Sequence, residues 1–345
     1  MSFRSWVTLI TIILLGLVVF FGWPEIVQAW NLIGKIDLWI LALLIPVQFF
    51  SYYATGGMIF TYLRSKGNLK TTSHWQMTRM ALELNFVNHI LPSGGAAGFS
   101  YLGWVLGRHG VRPGRATMAQ IIRFTLTFIS FVVILIVAVL ALTLDHQIDR
   151  MIIIISSVLT LGAVGGTVFT VYIIGSKRRL VRFSGWVTRT ANAIVGFFTQ
   201  GKNKTTVKLA TIETFFEELH QDYTEIRRDK KILIKPLIWA FLANLADVAL
   251  LFIAFLALGV TLNPATLFVA FGVASIASVF SVTPGGAGVY EAIMIAFLAS
   301  AGVPADIAIA GTLLARVTLL LGTIGFGYIF YQLTIVKYGK NPVQR

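Results

Sequence analysis

Apolar residues along this chain fall in long blocks, and short polar or basic stretches separate them. Blocks that approach or exceed the ~20 apolar residues needed to cross a bilayer predict helical spans. Six are expected: Trp6–Phe21, Leu38–Tyr62, Ala116–Leu144, Met151–Ile174, Ile232–Val260 and Ile307–Tyr331. Arg4 precedes the first, and Pro24 with the length of the run favours a retained anchor; a weak cleavage-like Val27-Gln28-Ala29 is the alternative. Four further arms are shorter. Met80–Leu91 and Ala96–Gly107 each have about 12 residues, about 18 Å at 1.5 Å per residue, too little for a ~30 Å core. Ala265–Val282 and Ala287–Ala301 flank a second break. The expected fold is an all-α polytopic membrane protein with a single membrane domain over 1–345. It has six full transmembrane helices and two re-entrant helical hairpins, at 80–107 and 265–301. Two short ordinary spans are the alternative to the first hairpin.

Charge gives the arms a direction. The net charge is +14, but charged residues are only 12% of the chain and hydrophobic residues 57%. In such a chain a basic balance reads as Lys/Arg-rich cytoplasmic loops, not as nucleic-acid binding. Arg79 lies at one end of the first hairpin and Arg108, Arg112 and Arg115 at the other, so both ends are expected inside. The polar segment 176–231 is rich in Lys and Arg and is also expected in the cytoplasm. Within it, Glu213, Phe215, Phe216, Leu219, Tyr223 and Ile226 predict an amphipathic helix near the membrane surface. The loops at Thr261–Pro264 and Gly302–Asp306 lack Lys and Arg, so the second hairpin is expected to enter from outside. Repeat one (37–144) and repeat two (232–335) then oppose each other, an inverted-topology repeat with hairpin tips meeting near the midplane. Both termini are expected in the cytoplasm.

The two breaks are nearly one motif. Pro92-Ser-Gly-Gly-Ala-Ala-Gly98 and Pro284-Gly-Gly-Ala-Gly288 each precede a Gly-Val and then an apolar helix carrying one arginine, Arg123 or Arg316. Glycine and proline interrupt helices, and non-helical backbone at membrane depth survives where it lines a cavity. A helix that starts after Gly95 or Gly286 directs N–H groups and a positive dipole end at the tip. With two guanidiniums these suit a phosphate or carboxylate. The candidate binding residues are therefore Pro92, Gly94, Gly95, Arg123, Pro284, Gly285, Gly286, Gly288, Glu291 and Arg316. Glu83, Asp247 and Glu291 are the intramembrane acids and the candidates for proton coupling, with Glu291 preferred. Two plainer readings stand beside this one: the charges pair only as helix glue, and the glycines, Gly56-Gly57 and Gly165-Gly166 among them, only permit close helix packing.

The second motif, Pro284-Gly-Gly-Ala-Gly-Val-Tyr-Glu291-Ala with Gly302-Val-Pro and Leu314-Ala-Arg316, resembles the lysylphosphatidylglycerol synthase transmembrane (flippase-like) family. That family includes the membrane half of the multiple peptide resistance factor and bacterial inner-membrane proteins. Pro284, Gly285, Gly286, Gly288, Glu291 and Arg316 match its second motif. Pro92, Gly94, Gly95 and Arg123 match its looser first one. The resemblance implies a bacterial inner-membrane location and the lipid-moving half of the synthase. With the chain ending at Arg345, about 14 residues past the last expected span, a soluble transferase domain is not expected.

The expected function is binding of an anionic lipid headgroup, of a phospholipid or a polyprenyl-phosphate-linked lipid, and its movement between leaflets, passively or coupled to an ion. No enzymatic activity and no cofactor are expected. There is no cysteine, no His-x-x-x-His or His-Glu-x-x-His pair and no Walker-type Gly-x-x-x-x-Gly-Lys-[Ser/Thr] segment. The rivals are a membrane-embedded transferase with Glu291 or His89 as base, a transporter of a small soluble anion, and a non-transporting assembly partner of a lipid-modifying enzyme. The expected partner is an anionic membrane lipid, with a homo-oligomer or a lipid-modifying enzyme as further possibilities.

Overall fold

The computed structural model describes residues 36–90, 96–144, 150–176, 209–279 and 286–338, with Arg178, Arg179, Arg182 and Gly185 besides. Among the described residues the fold is all-helical. Five helices among them are long and apolar enough to cross a membrane: Leu38–Ser65, Pro113–Leu144, Ile153–Ile174, Lys230–Ala257 and Ala305–Tyr338. They overlap five of the six expected spans. The sixth, Trp6–Phe21, lies outside the described residues.

The first span is two helices, α1 (Leu38–Ala42) and α2 (Leu44–Ser65). Asp37 caps α1 by accepting the N–H groups of Trp39 at 2.9 Å and Ile40 at 3.2 Å. The interruption follows from Pro46, which has no N–H to offer the Ala42 carbonyl. Next comes α3 (His74–Ile90), which begins six residues before the expected arm. Its start is a reciprocal cap: Gln76 N–H donates to Ser73 Oγ at 3.2 Å and Ser73 N–H to Gln76 Oε1 at 2.9 Å. Its partner α4 (Ala96–Arg108) packs against it. The long helices α5 (Pro113–Leu144) and α6 (Arg150–Ile174) follow.

After α7 (Leu209–Arg228), a short 3₁₀ turn at Lys230–Leu233 leads into α8 (Ile234–Ala257). The second short pair, α9 (Pro264–Val279) and α10 (Val289–Ser300), is packed together, and α11 (Ala305–Tyr338) closes the bundle. At ~1.5 Å per residue, α4, α9 and α10 are each shorter than a bilayer core.

Small residues let the helices approach. A Cβ on Gly57 of α2 would run into the Trp239 indole of α8, and one on Gly311 of α11 into the Phe255 ring. Among the described residues, Gly165 and Gly166 do not serve this purpose. No described atom lies within 4 Å of where their Cβ would be, so that expectation is corrected.

From Glu217 onward, the amphipathic helix turns its apolar residues to the protein. Leu219 and Ile226 of α7 are buried in the bundle and Tyr223 packs against the same cluster. Asp222, also buried, pairs with Arg115 at 3.1 Å and accepts the Tyr62 hydroxyl at 2.9 Å. Glu218 accepts the Gly114 N–H at the start of α5 at 3.0 Å, and Lys66 and Glu225 form a close ion pair.

Apolar packing divides into two large clusters. One gathers α2, α3, α4, α5, α7, α8 and the end of α6 at Ile174; the other α5, α6, α8, α9, α10 and α11. On the shared helices, polar side chains stand where one cluster gives way to the other. On α8, Asn244 and Asp247 separate Ala243 from Val248; on α5, Thr127 and Ser130 separate Leu126 from Phe131. Asn244 Nδ2 ties these layers by donating to Ser130 Oγ at 2.6 Å and to the Thr127 carbonyl at 3.1 Å.

Candidate functional site

The polar layer opens into a cavity of about 270 Å³. It sits beside the middle turns of the long helices. Gln48, Ser51, Tyr52 and Thr55 come from α2, Asp247, Leu250 and Leu251 from α8, and Arg316, Leu319, Leu320 and Thr323 from α11. The short helices supply the rest: Asn85 and His89 from α3, Phe271, Ser275 and Ser278 from α9, and Tyr290 from α10. Two members of the expected site, Arg316 and Asp247, are thus brought together.

Local sequence explains how each is held. Gly288, with φ +85°, ends the break, and Glu291 one turn later accepts its N–H through Oε2 at 2.7 Å. The other oxygen, Oε1, holds Arg316 Nε at 2.7 Å. Arg316 also lies over the Tyr290 ring at 5.0 Å. Arg316 and Tyr290 face the cavity, while Glu291, expected as a binding residue, stands behind them as a buried support and does not line it. Gly286 is required by the turn: its φ is +73°, and a Cβ there would strike Ser278 on α9. Pro92, Gly94, Gly95, Pro284 and Gly285 lie outside the described residues.

Other wall residues are tied together across the bundle. Gln48 Nε2 donates to the Leu319 carbonyl at 2.8 Å, with the Tyr52 hydroxyl at 2.9 Å and Thr323 Oγ1 at 3.2 Å also in reach; Tyr52 and Thr323 share a close hydroxyl contact. His89 Nδ1 lies 2.8 Å from the Asn85 carbonyl. With the proton on Nδ1, Nε2 is left as an acceptor. Asp247 Oδ1 accepts the Ser51 hydroxyl at 2.6 Å.

Two expected residues lie elsewhere. Arg123 does not line this cavity; its guanidinium lies over the ring of its neighbour Phe124 at 4.2 Å, and its buried Nε has no hydrogen-bond partner among the described residues. Glu83 belongs to a separate network. It accepts from Arg79 Nε at 2.9 Å, Thr334 Oγ1 at 2.7 Å and the Tyr101 hydroxyl at 2.8 Å. The helix-start donors also differ from expectation. The Gly98 N–H in the first turn of α4 is bonded to Asn88 Oδ1 at 3.1 Å, and that of Gly288 is taken by Glu291, so neither is free for a ligand.

Gln48, Ser51, Tyr52, Asn85, Ser275, Ser278 and Thr323 were missed in the sequence. The available signal was a polar residue inside an apolar block, which charge-based reading passes over. Among the described residues, no group of three His, Asp or Glu side chains could hold a metal ion.

A family model described as the lysylphosphatidylglycerol synthase TM region matches residues 6–327. No curated protein and no solved structure matches the chain.

Proposed function

The chain belongs to the lysylphosphatidylglycerol synthase transmembrane-region family, and from that membership we propose that it binds the headgroup of an anionic membrane lipid in the polar cavity and moves the lipid between leaflets. The observation that carries this reading is Arg316: a guanidinium facing a polar cavity at the middle turns of helices long and apolar enough to cross a membrane, and paired with a buried acid. A buried charge in such surroundings costs several kcal/mol when unpaired. Glu291 offsets that cost while the cavity is empty, and a phosphate takes over when a lipid enters. The planar guanidinium fork suits phosphate oxygens better than an ammonium does.

In this account α3–α4 and α9–α10 are the re-entrant hairpins, and the chain is an inverted repeat. The pairing of α2 with α8, the corresponding long helices of the two halves, fits that symmetry. The two short pairs would rock against the long helices to expose the cavity to one leaflet and then the other. No covalent bond is broken in the proposed activity.

The test uses purified protein in phosphatidylcholine vesicles containing phosphatidylglycerol with a fluorescent acyl chain, and dithionite added outside. Wild type should expose inner-leaflet label to the quencher. Arg316→Ala should slow this at least about tenfold, equivalent to ~1.4 kcal/mol. Equal rates for the two proteins would remove Arg316 from the site. Uptake of labelled inorganic phosphate without lipid movement would favour the small-anion reading instead.

A further inference from the structure

We propose that Asp247 is a proton-binding site, and that the protein moves an anionic lipid and a proton together. The inference rests on the lipid reading above and adds the coupling that it leaves open.

The geometry separates the three intramembrane acids. Glu83 is saturated by Arg79, Thr334 and Tyr101. Glu291 closes the first turn of α10 and holds Arg316. Asp247 has the Ser51 hydroxyl on Oδ1, while Oδ2 has no hydrogen-bond partner among the described residues, and no cation pairs with it there. It is the acid that faces the cavity directly.

The groups around it come from every helix packed on α8 or bordering the cavity. Tyr52 of α2, His89 of α3, Tyr290 of α10 and Arg316 of α11 share the cavity. From α9 the cavity receives the hydroxyls of Ser275 and Ser278 and no charge. On α5, Ser130 and Thr127 meet Asn244 of α8, and Arg123 does not line the cavity. Asp37, before α1, lies at the far end of α8, at Ala257. Among the described residues, the cavity therefore holds one cation, paired with Glu291, and one carboxyl that no cation pairs with.

An anionic headgroup arriving at Arg316 meets Asp247 across the same cavity. With Asp247 ionised, the two like charges repel in a medium that screens poorly. With a proton on Oδ2, the side chain is neutral and gains an O–H donor for the headgroup or for a neighbouring hydroxyl. The proton comes from the aqueous phase on one side and leaves to the other. No other bond forms or breaks. A phosphodiester headgroup of charge −1 then crosses with one proton, and that pair carries no net charge.

Two experiments test this. In vesicles with fluorescent phosphatidylglycerol, the membrane potential clamped and the two sides differing by one pH unit, wild type should enrich the label in the alkaline-side leaflet up to about tenfold. Asp247→Asn should give a ratio near one while the label still crosses. Separately, calorimetric titration of the detergent-solubilised protein with short-chain phosphatidylglycerol, in two buffers of different ionisation enthalpy, should show proton uptake for wild type and none for Asp247→Asn. Ser51→Ala removes the hydrogen bond on Asp247 and should move the pH at which uptake is half complete. Lipid equilibration by wild type with no response to the pH gradient overturns the proton assignment alone. So does uptake that survives in Asp247→Asn. Absence of any lipid movement or binding by wild type overturns the lipid reading and this inference with it.

Discussion

At Glu291 one carboxylate oxygen closes the first turn of α10 while the other holds Arg316. Replacement by glutamine keeps an acceptor for the Gly288 N–H but removes the negative charge that competes with a headgroup for the guanidinium. Glu291→Gln should therefore bind phosphatidylglycerol more tightly, by about tenfold if the lost charge-assisted contact is worth ~1.5 kcal/mol. Arg316→Lys should weaken binding although charge is retained, because an ammonium lacks the planar fork. Isothermal titration in detergent measures both. Weaker binding by Glu291→Gln would mean that its role is to build the turn and not to compete. Glu291 and Arg316 were legible in the sequence because Glu291 lies one turn past the Gly-rich break and Arg316 is the arginine of the apolar helix that follows it. Arg123 follows its own break in the same manner, yet its side chain lies on Phe124 and does not reach the cavity. Spacing along a helix gives a face, but which neighbour occupies that face depends on packing that one sequence does not reveal.

Helix lengths and ends were legible where apolar blocks ended in charges, and poorly legible where caps decided them. The Ser73–Gln76 cap starts α3 well before its apolar arm begins. Pro46 divides the first span inside an unbroken apolar run. The amphipathic pattern of α7 was visible, but the destination of its apolar face was not, because lipid and protein both reward the same pattern. Asp222, a buried acid joined to Arg115 and Tyr62, ties it to the bundle. Asp222→Ala leaves the guanidinium and the hydroxyl without that partner, and should loosen α7 by about 3 kcal/mol. The change would be read as faster tryptic cleavage at Arg227 and Arg228, with the bundle intact. Unchanged cleavage would place the helix under other control. Acid adds a smaller effect of the same sign. The hydrogen bond from Lys66 holds the Glu225 carboxyl below its ordinary value. Its stabilisation is thus present above the normal carboxylate range and is lost as pH falls through the lowered value. Half-exposure of Glu225 keeps the contribution small.

Across the whole molecule, two apolar cores meet at a polar layer, and the cavity lies in that layer. Apolar burial alone does not hold helices together in lipid, so cross-helix hydrogen bonds such as Gln48 to Leu319 and Asn244 to Ser130 help to set the assembly. The class of the fold was plain from the blocks, since runs of about 20 apolar residues match the thickness of a bilayer core. The cavity was not, since its walls are single polar residues contributed by six different helices. The central claim is that an anionic headgroup replaces Glu291 on Arg316. A structure of the protein determined in nanodiscs containing phosphatidylglycerol tests it most directly. The account predicts headgroup phosphate density within hydrogen-bond reach of the Arg316 guanidinium, with the Arg316–Glu291 contact opened from its 2.7 Å. A lipid-saturated structure with that contact intact and the cavity free of lipid density would contradict it.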